Sequence, residues 1–223
     1  TMEACGDCPR VVLGSPVAGI AADEIIDPTP AIQEIKDKYI GSPEFSNLPR
    51  KYKTAFTGHP SLDVVHEIND IAFVGVVHPE LGAGYDLWVG GGLSTNPQLA
   101  QRLGTFVRPE EAVEVWHGVT SLFRDYGYRA QRTRNRVKFL VKDWGVEKVR
   151  QVLQDEYGML SYVTVLVTVM TGVPPGTGVA VAVATAVATG IGEASRATSG
   201  SMMAKVWLPP SCTLPRLTLV GGM

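Results

Sequence analysis

The stretch "LPRKYKTAF", residues 48–56, places Arg50, Lys51 and Lys53 within four positions. Side chains on a strand alternate between faces. This predicts Lys51 and Lys53 together on one face, about 7 Å apart, with Arg50 and Tyr52 on the other. Two such ammonium groups repel, and in a dry pocket repulsion and desolvation lower the pKa of at least one. A group of that kind can attract an oxyanion and hand it protons at neutral pH. A second cationic run, "YRAQRTRNRVKF", carries Arg129, Arg132, Arg134, Arg136 and Lys138. Helical spacing puts 129, 132 and 136 on a common face, suited either to solvent or to several carboxylates at once. Arg10, in "CGDCPR", offers a planar fork for a carboxylate or an oxyanion. The triplet Gly90–Gly91–Gly92 lets backbone approach a flat or anionic ligand closely, or makes a plain tight turn. It is neither a dinucleotide fingerprint nor a P-loop.

Other chemistries find little support. Cys5 and Cys8 form a C-x-x-C pair, but no strand precedes it as a redox dithiol requires. A zinc site would need a second pair, and Cys212 is isolated. His59, His66, His78 and His117 do not cluster and are read as structural. No nucleophile elbow or Ser-His-Asp arrangement is visible in the order of residues.

Bulk properties set limits. The 223 residues carry a formal net charge of −2, against the strongly basic footprint of a general nucleic-acid binder. Cations on such a chain act locally, and several converging imply a multiply anionic ligand. Three cysteines are too few for a disulfide scaffold, and with no signal peptide in "TMEACGDCPR" a cytoplasmic setting is expected. The opening Thr suggests a piece of a longer protein.

The elements that must position these residues read as mixed α/β. A turn and strand are expected over "EFSNLPRKYKTAFTG", with Pro49 at the strand start. "NDIAFVGVVH" reads as a buried strand, and "YDLWVGGG" as a strand entering the glycine triplet. "STNPQLAQRLG" is predicted helical, capped by Thr95 or Asn96 and stopped by Gly104. "RPEEAVEVWHGVTSLFRDYG" is a longer helix, with Val113, Trp116, Val119, Thr120 and Phe123 at helical spacing. "RNRVKFLVKDWGVEKVRQVLQDEYG" is helix, a break near Asp143–Gly145, then helix.

Composition changes at residue 158: from Gly158 to Gly192 there is no charged residue, and Val, Ala, Thr and Gly dominate. Pro174–Pro175–Gly176 leaves apolar arms of roughly fifteen residues, short of the ~20 that span a bilayer. Residues 158–223 are therefore expected to be an irregular, aberrant tail, as from a shifted reading frame, rather than a membrane anchor or a pair of strands. Residues 1–157 form the globular domain.

Five segments, in order, resemble a known family: "PRVVLGSPVAGIAADEIID", "FSNLPRKYKTAF", "HEINDIAFVGVV", "DLWVGGGLSTNPQLAQRLG" and "FRDYGYR…RVKFLVKDWGVEKVRQVL". They resemble the sirohaem-binding region of the ferredoxin-dependent assimilatory nitrite/sulfite reductases, most closely the actinobacterial sulfite reductase type. The resemblance covers residues 1–157. It implies an α+β domain with a mixed sheet and flanking helices, part of an oxidoreductase reducing sulfite to sulfide or nitrite to ammonia by six electrons from ferredoxin. Sirohaem, with eight carboxylates, would be the multiply anionic ligand, and a [4Fe–4S] cluster its partner. By position, Lys51 and Lys53 match the family's substrate-side lysines, and Arg10 an arginine near sirohaem and substrate. Arg50 matches a sirohaem-carboxylate contact, and Gly90, Gly91 and Gly92 the loop against the macrocycle. Arg132, Arg136 and Lys138 fall in the family's basic run. The family's cluster cysteines, C-x₅-C and then C-x₃-C, have no counterpart in this sequence. The isolated chain is accordingly expected to be inactive, and a non-catalytic tetrapyrrole- or anion-binding module is the alternative.

Overall fold

The structure, a computed structural model, describes residues 6–94 and 96–159. Cys5, Thr95, Cys212 and the tail beyond Met159 lie outside the described residues. Five strands, β1 (Pro9–Leu13), β2 (Tyr52–Thr57), β3 (Ile71–His78), β4 (Gly82–Val89) and β5 (Gln101–Val107), form one sheet in sequence order. β1, β2 and β3 run parallel, while β3–β4 and β4–β5 are antiparallel. The sheet is thus mixed. Helices α1 (Thr29–Tyr39), α2 (Ala112–Tyr126) and α3 (Val137–Asp155) flank it.

The alternation of β2 divides the two faces of the sheet. Tyr52 and Phe56 enter the main core with Phe73, Tyr85 and Leu87, under the helices. Ala55 and Ala72 pack in a smaller cluster with Val64 and Trp88 on the opposite face. α2 closes the main core with its buried row Val115, Trp116, Val119, Leu122 and Phe123. Trp116 is the anchor. Its ring meets Tyr39, Phe45 and Tyr52, and its Nε1 donates to Thr54 Oγ1 at 2.8 Å, so the indole is buried without an orphan donor. Trp116→Ala would cost about 3–5 kcal/mol.

Two expected elements differ. The stretch read as a helix, "STNPQLAQRLG", is instead an isolated bridge followed by β5. Gly92 and Gln98 exchange both backbone hydrogen bonds (2.9 and 3.0 Å), and Gly104, the expected helix stop, holds φ +70° inside the strand. Arg150 Nε donates to Leu103 O at 2.9 Å, holding the bend. Edge pairing to β4 overrides local helix preference. The helical face proposed for Arg129, Arg132 and Arg136 does not form either, because residues 129–136 are turns and bends and α3 begins at Val137. Tertiary contacts hold that segment in its turns: Arg129 Nη2 donates to Asn47 O and Arg124 O, and buried Asn135 Nδ2 to Pro49 O at 2.6 Å. The expected break is present, at Gly145 (φ +77°) within α3. Among the described residues, no helix is long and apolar enough to cross a membrane.

Candidate functional site

One end of the sheet gathers the start of β2, the start of β3, the exit of β4 and the first turn of α3. A cleft of about 530 Å³ opens there, lined by Arg50, Lys51, Lys53, Arg132, Arg136 and Lys138, with Leu93, Ser94, Thr133 and Phe139 between them. Every charged residue of the lining is a cation. The N-terminus of α3 adds its positive dipole end. Two cationic segments that lie about 80 residues apart in the chain therefore face one another.

Each cation is held differently. Lys53 stands on the Ala55 face of β2, half-buried, and burial lowers its pKa, with Arg136 and Lys51 adding to the fall against the pull of Asp70. Lys51 is exposed. Among the described residues, neither ammonium meets a hydrogen-bond acceptor. Arg50 also lines the cleft, which corrects its expected placement beside Tyr52. Residues 49 and 50 form a bend before the strand, so alternation starts only at Tyr52, which turns into the core while Arg50 does not. Arg132 pairs with Asp7 through Nη1 and Nη2 at 3.1 and 3.3 Å, and Arg50 Nη1 lies 3.7 Å from the same carboxylate.

The remaining two are committed to the protein. Arg136 donates through Nε and Nη2 to the two oxygens of Asp70 at 3.0 and 2.8 Å. Lys138 is only 2% exposed, and its Nζ donates to Gly92 O, Leu93 O and Asn96 O at 3.3, 2.8 and 2.6 Å. An ammonium has three donors, so this set is complete. Burial lowers the Lys138 pKa, and Arg136 lowers it further. The loop it holds carries Leu93, 52% exposed, and Ser94 at φ +90°, a conformation costly for an L residue.

The glycine triplet sits at the cleft's base. Gly90 has φ +84°, and a Cβ there would strike Val141; one at Gly91 would come within 2.2 Å of Glu67 O. Both glycines are thus required by the protein's own packing. A Cβ at Gly92 would lie 3.0 Å from Arg136 Nη2. Arg10 lies on β1, one residue past Pro9, which pairs with Tyr52, and it is not among the residues lining the cleft.

Asp70 escapes a reading based on cations. It is fully buried; burial pushes its carboxyl upward, while the Arg136 guanidinium and the Lys53 N–H pull it down. The available signal was an acid immediately before the apolar run 71–77, where an unpaired charge is too costly to bury. The order of residues also hid the run Ser61–His59–Asp23, joined at 2.7 and 3.0 Å. It resembles a nucleophile relay, but the Ser61 N–H donates to His59 Nδ1 and the Leu62 N–H to His59 O. The donors that would serve an oxyanion are used inside the turn.

The family model described as "Nitrite and sulphite reductase 4Fe-4S domain" matches residues 5–159. The chain belongs to the nitrite and sulphite reductase family. Nitrite and sulphite reductase relatives include the protein named sulfite reductase (ferredoxin) of Mycobacterium tuberculosis strain H37Rv, 66% identical over 157 residues, covering 70% of this chain and 28% of that one. The assimilatory ferredoxin-dependent nitrite reductase of Haloferax mediterranei is 38% identical over 160 residues, covering 70% and 27%. Among solved structures, the Mycobacterium tuberculosis NirA protein superposes with a TM-score of 0.67 at 66% identity over 70% of this chain and 28% of that one. Dissimilatory sulfite reductase I shares the fold, with a TM-score of 0.58 at 14% identity, covering 68% and 53%. The chain spans about 28% of the length of the curated sulfite reductases it matches.

Proposed function

We propose that residues 1–157 are the sirohaem-facing part of a cytoplasmic assimilatory sulfite (or nitrite) reductase that takes electrons from ferredoxin, and that residues 158–223 are not a native domain. The observation that carries this reading is the convergence of six cations, with no acid among the lining residues, around apolar Leu93 and Phe139. Such a wall suits a ligand with a flat apolar body and several carboxylates, which is the chemistry of sirohaem. When bound, sirohaem supplies the iron at which the substrate anion is reduced.

The chain's own residues divide the remaining work. Arg50 and Arg132, at the rim, are placed to meet carboxylates. Lys51 and Lys53 neutralise the substrate oxyanion, and half-buried Lys53, with its lowered pKa, is the better proton donor of the two. Arg10, on the strand beside β2, is assigned to the substrate side by its match to the family alone. The family description names a 4Fe-4S domain. Among the described residues, however, no three His, Cys, Asp or Glu side chains come together as a metal site. The described residues therefore do not fit a cluster, and no step is assigned through one.

The test is cofactor capture. The 223-residue chain, produced in a host that synthesises sirohaem, should purify with the visible spectrum of the bound macrocycle. A folded but colourless product would overturn the reading.

A further inference from the structure

Asp70 has no exposed surface, so a ligand in the cleft never touches it. Three parts of the cleft nevertheless meet on it. Its N–H donates to Lys53 O at 3.0 Å, and its Oδ2 accepts from Lys53 N at 2.9 Å, so one residue fixes both backbone polar groups of Lys53. Its carbonyl accepts from Gly90 N at 2.9 Å and sets the entry to the glycine triplet. Its two carboxylate oxygens take Nε and Nη2 of Arg136. Gly92 crowds that guanidinium from another side, where even a Cβ would lie 3.0 Å from Nη2. Arg136 is thus engaged by an internal carboxylate, whereas the Lys53 ammonium, on a backbone that cannot shift, has no acceptor among the described residues. Two of its five N–H donors are taken, and the carboxylate offsets its charge, so its pull on an incoming anion is weakened.

We propose that Asp70 is a positioning residue, the internal counter-ion of the cleft, which holds Arg136 back and Lys53 forward so that the lysines rather than the arginine take a bound oxyanion. The inference rests on the oxyanion-binding reading given above. Its direct consequence is that removing the Asp70 charge releases Arg136 toward the cleft. The released guanidinium then seeks another anion, and an oxyanion in the cleft becomes part of what holds the fold together.

The experiment compares the 223-residue chain with its Asp70→Asn variant, using inorganic sulfate as the probe. Thermal melting is followed against sulfate concentration, with chloride at matched ionic strength as the control. In D70N, half-maximal stabilisation should occur at about tenfold lower sulfate than in the wild type. A D70N chain that is unfolded in dilute buffer but regains a cooperative melt in sulfate also supports the proposal. A D70N chain that stays unfolded in sulfate, or that responds no more strongly than the wild type, overturns it and leaves Asp70 a purely structural residue. A second readout follows each lysine by its Cε resonance. Loss of Asp70's attraction should move the Lys53 titration downward; an unmoved Lys53 counts against the proposal. If neither protein responds to sulfate, the oxyanion reading falls as well. A responsive wild type with an equally responsive variant sinks only the role of Asp70.

Discussion

The two cationic segments of the cleft have similar composition and opposite fates. In residues 132–138 each cation lining the cleft is paired within the protein: Arg132 to Asp7, Arg136 to Asp70 and Lys138 to three carbonyls. In residues 50–53, among the described residues, only Arg50 approaches an acid, at 3.7 Å, and the two lysine ammonium groups meet no acceptor. A run of positive charge in a sequence therefore says little about availability. What separates the segments is the supply of acceptors. The start of α3 offers its side chains loop carbonyls and a buried carboxylate, while at the start of β2 that carboxylate takes the Lys53 backbone N–H and not its ammonium. The first segment builds the wall and the second presents charge to whatever occupies it.

Substitutions should separate these two roles. The largest effect is expected from Arg136→Met, which strands Asp70 as a buried charge and should cost about 3–5 kcal/mol in urea unfolding. The loss should shrink in acid. A carboxyl with a folded pKa above its usual 3.8 contributes stability below that value and loses it as pH rises through the folded pKa. Next comes Lys138→Met, which leaves three loop carbonyls without their donor and should cost about 2–3 kcal/mol. Faster hydrogen exchange at Gly92 and Gln98 would report it directly. Lys53 and Lys138 both titrate below the ordinary 10.5, so the unfolded chain binds more protons between their lowered values and that figure, and stability should rise with pH across that window. Lys138→Met should flatten the rise.

The lysine pair should behave in the opposite way. Lys51→Ala with Lys53→Ala should leave stability within about 0.5 kcal/mol, yet weaken sulfate binding by calorimetry at least about tenfold. A stability loss as large as that of the Lys138 variant would erase the distinction between the segments. The smallest effect belongs to Arg132→Ala. Its side chain is 65% exposed, and its pair with Asp7 is worth about 0.2–1 kcal/mol.

Much of the scaffold was legible. Turn and strand residues marked β2, an apolar run marked β3, the run into the glycine triplet marked β4, helical spacing marked α2, and Gly145 marked the break in α3. These signals are local. β5 was missed because Asn96, Pro97 and Gly104 carry helix punctuation, while the pairing of Gly92 with Gln98 and of β5 with β4 depends on neighbours elsewhere. The same reason explains Arg50, whose strand begins two residues later than alternation assumed. The lysines could be singled out because their spacing implies repulsion with no local remedy. The remedies themselves, Asp70 for Arg136 and the loop carbonyls for Lys138, lie 66 and 42–46 residues away and leave no trace in the order of residues.

The tie from Asn135 to Pro49 spans 86 residues, and that from Arg132 to Asp7 spans 125. Both close loops around a place where six positive charges must come together, so chain entropy and repulsion oppose them in concert. The stacked Phe56 and Phe73, on paired neighbouring strands with ring centroids 4.4 Å apart, face no such obstacle. The transition state for folding should therefore contain the sheet core and lack the cleft. Changes at Phe73 would slow folding, while changes at Asn135 would only speed unfolding. An anion present during refolding would act on the last step, making the ligand's own charge the agent that finishes the wall it binds.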